Sequence, residues 1–360
     1  MADRPAWLMP LAQRTDFYFA PGPRDFIVEE IPLYPFSGAG EHLIVRVRKK
    51  NMTTWEMVQI FSEYLGIRQR EIGYAGLKDK HAVTTQYLSL PARYEPALAR
   101  LNHPQIKILT TTRHRNKLRI GHLKGNRFSL RFKKILGAQK TKLDAVLDWI
   151  EAYGVPNYFG MQRFGIDGDN WQAGQAIANG KRRERDRRTR TFLLSAYQSK
   201  QFNDWLSRRI AISRLLAAFR PAEAEQAAGL PAGTLNGTAH QQHFFKILEG
   251  DVMMHYPHGR IFPAEDLAAE AEKFYRRDRA PTGPIFGTKM EGAPGAAGII
   301  EAPFAAAIPE NGSRRYAWVW PEEIGHTYLP EQAHYALNFV LPKGAYATNV
   351  VDVLRGGAAE

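Results

Sequence analysis

The stretch GYAGLKDKHAVTTQ, Gly73 to Gln86, sets one carboxylate, Asp79, between two lysines, Lys78 and Lys80, just after a turn punctuated by Gly73 and Gly76. Cations on both sides favour the ionised form of an aspartate, so its pKa is expected to be held down. The glycines let the backbone turn sharply and let a ligand come close. A charged carboxylate on a loop in positive surroundings suits a nucleophile or base acting on a polyanionic substrate. The competing reading is a solvated acid in a surface turn, and the rest of the chain has to decide between them.

Strands and a helix must position that loop. Phe26–Val28 and Leu43–Val47 read as strands joined by a Pro/Gly-rich loop. Thr53 with Glu56 three residues on predicts a capped helix, with Trp55, Val58, Phe61 and Leu65 as its apolar stripe up to Gly66. Gln86–Leu90 is a further short strand. From Ile106 to Lys134 the pattern is again β, through Leu118/Ile120 and then Phe128, Leu130 and Phe132 in alternation with polar residues. Thr141 is expected to cap a second helix that buries Leu143, Val146, Leu147 and Ile150 and ends at Gly154. Residues from about 157 to 315 read as mostly helical, and Ala317–Trp320, Ala336–Leu341 and Tyr346–Leu354 as a returning β-like tail. The expected class is α+β, with a helical insertion between two parts of one sheet-bearing domain.

The 360 residues suffice for two domains with separate cores. Lys plus Arg number 49 against 36 acids, a formal charge of +13, which favours a polyanionic partner. No apolar run could span a bilayer, and the N-terminal residues lack the apolar region of a signal peptide, so a soluble cytoplasmic protein is expected. The absence of cysteine rules out disulfides, thiol catalysis and Cys-ligated zinc. His240/His243 and His255/His258 lack a suitably spaced third ligand. Gly283–Lys289 lacks the spacing and ending of a phosphate loop. An enzyme built this way is expected to need no nucleotide, redox cofactor or metal.

Two basic stretches point to nucleic acid. Lys181 to Arg190 carries seven cations among ten residues, with Arg182, Arg183, Arg187 and Arg188 as candidate phosphate contacts. Arg113, Arg115, Lys117, Arg119, Lys124 and Arg127 interleave with Phe128 and Phe132, a mixture that can follow a backbone and stack on unpaired bases. Asn157 to Gly165, NYFGMQRFG, reads as a shaped polar loop offering Gln162 and Arg163, or as a packed hinge; both can hold.

Taken together these motifs resemble the TruD family of tRNA pseudouridine synthases. The resemblance is carried by DFIVEE (Asp25–Glu30), Gly73–Gln86, KGNRF (Lys124–Phe128), Asn157–Gly165, SAYQSKQFN (Ser195–Asn203) and LPKGAYAT (Leu341–Thr348), in the family's order across nearly the whole chain. It implies isomerisation of a uridine, typically U13 of the tRNA D arm, to pseudouridine. It also implies a pseudouridine-synthase catalytic domain with a mixed or antiparallel sheet (1–153 and 316–360), interrupted by a mostly helical inserted TRUD domain (154–315). By the same resemblance Asp79 is the catalytic carboxylate, and Phe26, Asn126 and Tyr346 contact substrate.

The chemistry asked of those residues is modest in type. The N1–C1′ bond breaks, the uracil turns over and C5 joins C1′; a carboxylate can attack C1′ or take the C2′ proton. The base must leave its stack to be reached. Phe128 is suited to stack on it, and Asn126 matches the imide edge of uracil or could steady Asp79. Two departures from the family pattern stand out. Phe128 offers no hydroxyl where other pseudouridine synthases carry a tyrosine. Phe19-Ala20-Pro21 also stands where a lysine often precedes the DFIVEE strand, leaving Lys78, Lys80 or Arg163 to pair with Asp79. The rival readings are an RNA-binding or remodelling protein without catalysis, and an isomerase of another RNA uridine; no protein partner is implied.

Overall fold

The structure, a computed structural model, describes residues 14–165 and 167–356. It divides into two compact units, Asp16–Lys142 with Pro321–Gly344, and Leu143–Trp320 with the chain from Ala345 on. The expected boundaries at 153/154 and 315/316 mark changes of sequence texture; the units divide at 142/143, 320/321 and 344/345.

The first unit opens with β1 (Phe26–Pro32), β2 (His42–Lys50), α1 (Thr54–Leu65), β3 (Gly73–Tyr74), β4 (Val83–Pro91), α2 (Glu95–Leu98), β5 (Ile106–His114) and β6 (Leu123–Lys133). The chain then passes through α3 (Gly137–Tyr153), β7 (Val155–Pro156), α4 (Asn170–Ala178), α5 (Arg187–Ala218), α6 (Pro221–Ala228), β8 (Val252–His255) and β9 (Ile261–Pro263). Next come α7 (Leu267–Tyr275), β10 (Arg279–Ile285), α8 (Gly295–Glu301), β11 (Ser313–Tyr316) and β12 (Trp318–Val319). It returns to the first unit with β13 (Glu322–Leu329) and β14 (His334–Pro342), and closes with α9 (Ala347–Leu354).

One sheet organises the first unit, in the order β13-β14-β6-β1-β4-β2-β5 with β3 beside β4. β1 and β4 run parallel and the other pairs antiparallel. The sheet is therefore mixed, and the returning strands complete it as expected. Its core lies between α1 and the inward residues of β2 and β4, including Leu43, Val45, Val47, Leu88 and Leu90. The Thr53/Glu56 capping box forms: Glu56 N–H donates to Thr53 Oγ1 at 3.1 Å and Thr53 N–H to Glu56 Oε2 at 2.6 Å. Gly66 ends the helix at φ 65°, where a glycine is least strained.

Several local expectations need correction. The buried stripe of α1 is Thr54, Met57, Val58, Phe61 and Leu65, and Trp55 is 54 % exposed, because the i, i+3, i+4 set begins one residue earlier. Leu118 and Ile120 lie in a turn rather than a strand, and Ile120 faces outward. Thr141 is inside α3, its hydroxyl donating back to the Gly137 carbonyl at 3.2 Å; the first turn is polar, so the apolar pattern does not mark it. In β6, Phe128 and Phe132 are buried while Arg127, Arg131 and Lys133 take the opposite face. That alternation separates the aromatics from the cations that were expected to act together.

The second unit holds α4 to α8 and a four-stranded antiparallel sheet, β11-β10-β8-β9, with β7 paired to β12. Residues 157–315 thus carry a small sheet beside their helices, which the sequence did not show. The strands are short, and the sequence RAPTGPI of β10, with two prolines and a glycine, hides its β character. Phe202, Trp205, Phe245, Phe274, Trp318 and Trp320 form its core. Tyr346–Leu354 is a helix and not a strand: the valines suggested β, but Ala347, Val350, Val351 and Leu354 fall at helical spacing and are buried together.

Candidate active site

Asp79 lies on the loop between β3 and β4, and three side chains from different elements hold that loop. From α1, the buried Thr54 hydroxyl accepts the Lys78 backbone N–H at 2.9 Å and donates to Gln86 Oε1 of β4 at 3.0 Å. From β2, Lys49 is 0 % exposed, and its ammonium donates to the carbonyls of Met52 at 2.5 Å, Asp79 at 2.9 Å and Lys78 at 3.5 Å. Lys78 itself reaches Glu30 of β1, forming a buried ion pair at 2.5 Å. Glu30 also accepts the Tyr87 backbone N–H at 3.2 Å. Lys80 points outward and pairs with Glu56 at 3.5 Å.

The carboxylate these groups surround makes no hydrogen bond or ion pair of its own among the described residues. Burial raises the pKa of Asp79, against the pull of Lys49, Lys78 and His81. The flanking lysines therefore do not hold it down: one is paired to Glu30 and the other to Glu56, and loss of hydration outweighs what attraction remains. Burial also pushes Lys49 down to about 8, opposed by the attraction of Asp79. The loop thus presents a half-buried, unspent carboxylate of raised basicity beside a buried cation.

The same sheet face carries Phe26, Asn126 and Phe128. Asn126 stands opposite Glu30 in the β1–β6 register, and its Oδ1 is buried with no partner. Such an acceptor is costly to leave unmet and is suited to a ligand N–H. Phe128 is 5 % exposed and stands between Phe26, at 6.2 Å between ring centres, and Phe339 of β14, at 5.5 Å. It is the middle of three near-parallel rings.

The remaining candidates belong to the second unit. Asn157–Phe159 is clamped from several sides. Asn203 bonds both the N–H and the carbonyl of Phe159, at 2.8 and 3.0 Å, and Asn349 donates to the Tyr158 carbonyl at 2.9 Å. Arg315, half-buried, donates to Asn157 Oδ1 at 2.7 Å and lies 4.1 Å over the Phe159 ring. Burial lowers its pKa to about 10. Gly160 packs against Tyr346, which precedes α9. Arg163 donates to Ser199 Oγ at 3.2 Å, and Gln162 is exposed. The structure therefore brings Tyr346, Arg163 and the NYFG motif together in one unit, and Asp79, Lys78, Phe26, Asn126 and Phe128 in the other. Arg182, Arg183, Arg187 and Arg188 are all exposed, on a loop and on the first turn of α5 rather than along a helix face.

Comparison with known proteins places these motifs. The family profile described as "tRNA pseudouridine synthase D (TruD)" matches residues 20–185. The tRNA pseudouridine synthase D of Wolinella succinogenes is 53 % identical over 94 % of both chains, and that of Nitratiruptor sp. 52 % identical over 94 % of both. The chain belongs to the TruD family. It is with that family an isomerase. A crystal structure of a TruD candidate from Methanosarcina mazei shares the fold, with a TM-score of 0.57 at 23 % identity, over 99 % of this chain and 94 % of that one.

The TruD motifs quoted from sequence do not include Lys49, which the structure puts under the Asp79 loop. A signal for it existed. Leu43, Val45 and Val47 alternate inward along β2, and the next inward position is Lys49, so a buried lysine was legible from the period of two. Arg163 and Lys80, two of the three cations expected to accompany Asp79, have other neighbours. His243 is a core residue: its Nε2 donates to the Tyr153 carbonyl at 2.8 Å and its Nδ1 accepts the Phe245 N–H at 3.0 Å, while burial pushes its pKa down to about 4.

Proposed function

We propose that this protein converts a uridine of tRNA, U13 of the D arm, to pseudouridine, and that Asp79 is the reacting carboxylate. The observation that supports this reading is an Asp79 carboxylate without a bond of its own, on a loop whose backbone is fixed by Thr54 and Lys49. Orientation is thereby prepaid while the nucleophile or base stays free. The N1–C1′ bond breaks, C5 bonds to C1′, the C5 proton leaves and N1 gains one; no net redox change occurs. Asp79 either holds C1′ covalently or removes the C2′ proton, and its raised basicity serves both.

Asn126 reads an N–H of the uracil through its unmet Oδ1, and the Phe26–Phe128–Phe339 row forms the apolar floor beside it. Lys49 takes the place of the lysine that often precedes the DFIVEE strand, and Lys78 keeps Glu30 from competing for it. Lys80, Gln162, Arg163 and Tyr346 contact RNA, and Arg182, Arg183, Arg187 and Arg188 neutralise its phosphates. We place the catalytic chemistry in the unit of 16–142 and 321–344 and the inserted domain in 154–315. Among the described residues no helix is long and apolar enough to cross a membrane, and the cytoplasm, where tRNA resides, is the proposed compartment.

The test is position-resolved pseudouridine detection on an unmodified tRNA transcript bearing U13. Wild type is expected to convert U13, and Asp79→Asn to lose about 10²–10⁴-fold in rate while keeping tRNA affinity within a few fold. Full turnover in Asp79→Asn would remove the residue from the chemistry. Tight tRNA binding with no conversion at any uridine would favour the non-catalytic reading, and conversion elsewhere another target.

A further inference from the structure

A cleft on the first unit is lined by none of the residues that surround Asp79. Where β2 begins and β5 ends, His42 and His114 are paired across the sheet, and the segment before β2 and the turn 115–122 close over them around a cleft of about 760 Å³. Its walls include Tyr34, His114, Asn116, Arg119 and His122, and no carboxylate lines it.

The hydrogen bonds of this cleft occupy the Nδ1 atoms of His114 and His122. His114, 9 % exposed, accepts the Ser37 backbone N–H on Nδ1 at 3.1 Å. A backbone amide can only donate, so Nδ1 is unprotonated and the ring proton sits on Nε2. Tyr34 stacks on that imidazole, ring centres 5.3 Å apart, and its hydroxyl bonds His122 Nδ1 at 2.8 Å. With the tyrosine hydroxyl as donor, His122 carries its proton on Nε2 as well. Arg119 is exposed, and among the described residues its guanidinium has no partner. His42 Nδ1 is buried and unpaired. An aromatic platform ringed by imidazole, amide and guanidinium donors, with no acid present, fits a phosphodiester and the sugar or base beside it.

The cleft is also tied to the chain leading into Asp79. Gly121 N–H donates to the Ala75 carbonyl at 2.8 Å, and Leu118 N–H to Ser89 Oγ at 2.9 Å. Gly73 packs so closely on the Leu118 carbonyl and Ser89 that a Cβ there would collide with both. The turn that supplies Arg119 and His122 is therefore braced directly against residues 73–75, four residues before the carboxylate.

We propose that this cleft binds a phosphodiester of the substrate RNA at a nucleotide other than the one that reacts, and that its occupation steadies the Asp79 loop. The proposal rests on RNA being the substrate, as argued above.

The experiment measures tRNA binding by the full-length protein as a function of salt, for wild type and for Arg119→Ala with His122→Ala. Both side chains lie outside the core, and melting curves check folding. Arg276→Ala, a cation of the second unit paired to Glu272, serves as the charge control. The double variant is expected to bind tRNA several-fold more weakly, with a log–log salt slope shallower by about one, while the control follows wild type. Affinity and slope equal to wild type would overturn the proposal. Inorganic phosphate is the second probe. Competition with tRNA in wild type but not in the double variant supports an RNA phosphate site. Phosphate binding in the cleft that leaves tRNA affinity unchanged would make it a site for a free anion and overturn the RNA assignment. All these readouts are binding, so a wild type that binds tRNA but forms no pseudouridine would break the catalytic reading and still decide this one.

Discussion

Each unit of this TruD protein sets an aspartate beside cations, and the two treat it oppositely. In the second unit Asp251 is held by Arg209 through two bonds, at 2.6 and 2.8 Å, and also accepts the Leu248 N–H at 2.8 Å. Arg209 Nη2 also donates to the Lys246 carbonyl. Every charge there is closed. In the first unit Lys78 is closed on Glu30 and Lys49 on backbone carbonyls, while the Asp79 carboxylate receives attraction but no bond. One arrangement fixes a core; the other fixes a loop and leaves its acid available. Proximity of opposite charges in a list of buried residues does not distinguish them, but the hydrogen-bond inventory does.

The same Asp→Asn change at both sites is the sharpest way to break this comparison. Asp251→Asn leaves the Arg209 guanidinium buried against a neutral group and is expected to cost about 3–5 kcal/mol of stability. It leaves the rate of the folded fraction intact, as read by denaturant titration alongside single-turnover assays. Asp79→Asn, expected to lose about 10²–10⁴-fold in rate, is also expected to leave the denaturation midpoint unchanged or higher, because a desolvated charge is removed. Equal destabilisation at the two sites would mean Asp79 is a structural ion like Asp251.

A smaller effect concerns pH. The base form of Asp79 fills as pH rises through a pKa that burial has raised, so the acid limb of the rate profile is displaced upward from that of an ordinary aspartate. Lys49 loses its proton above about 8, which sets an alkaline limb there. In Lys49→Met the alkaline limb should vanish and the acid limb move to higher pH, since the cation that favours ionised Asp79 is gone. Linkage gives an independent check. The folded pKa of Lys49 lies below its unfolded value, so from about pH 8 up to the normal lysine range the unfolded state holds more protons and stability rises with pH. That rise should be absent in Lys49→Met. An unchanged profile would mean Lys49 only supports the backbone.

The smallest effect is expected at the latch. Thr54→Val leaves the Lys78 N–H without its acceptor and should cost about 1–3 kcal/mol. Faster hydrogen exchange at the Lys78 amide, with a lower kcat, would show that the loop's fixation serves the chemistry; faster exchange at full kcat would show that it does not.

Much of this site was legible beforehand. The motif around Asp79 named the carboxylate, because an acid between two lysines after paired glycines is a local pattern. The α1 capping box and the inward alternation of β2 and β6 were legible for the same reason: both depend on neighbours within a few residues. That Phe339 packs on Phe128 was not, since that ring comes from β14, more than two hundred residues later in the chain. The helix at Ala347–Leu354 was obscured by its valines, whose β preference burial along one helical face overrides.

What the sequence by itself determined is therefore the motif that carries Asp79, the basic character that suits RNA, and the family. What only the tertiary structure decided is the charge state around Asp79. Sequence neighbours suggested a carboxylate held ionised by Lys78 and Lys80, yet the fold assigns those lysines to Glu30 and Glu56 and brings Lys49 from β2 instead. A pKa depends on which charges lie within a few ångströms and on how much water is lost, and strand pairing sets both across distances in the chain that no local pattern spans.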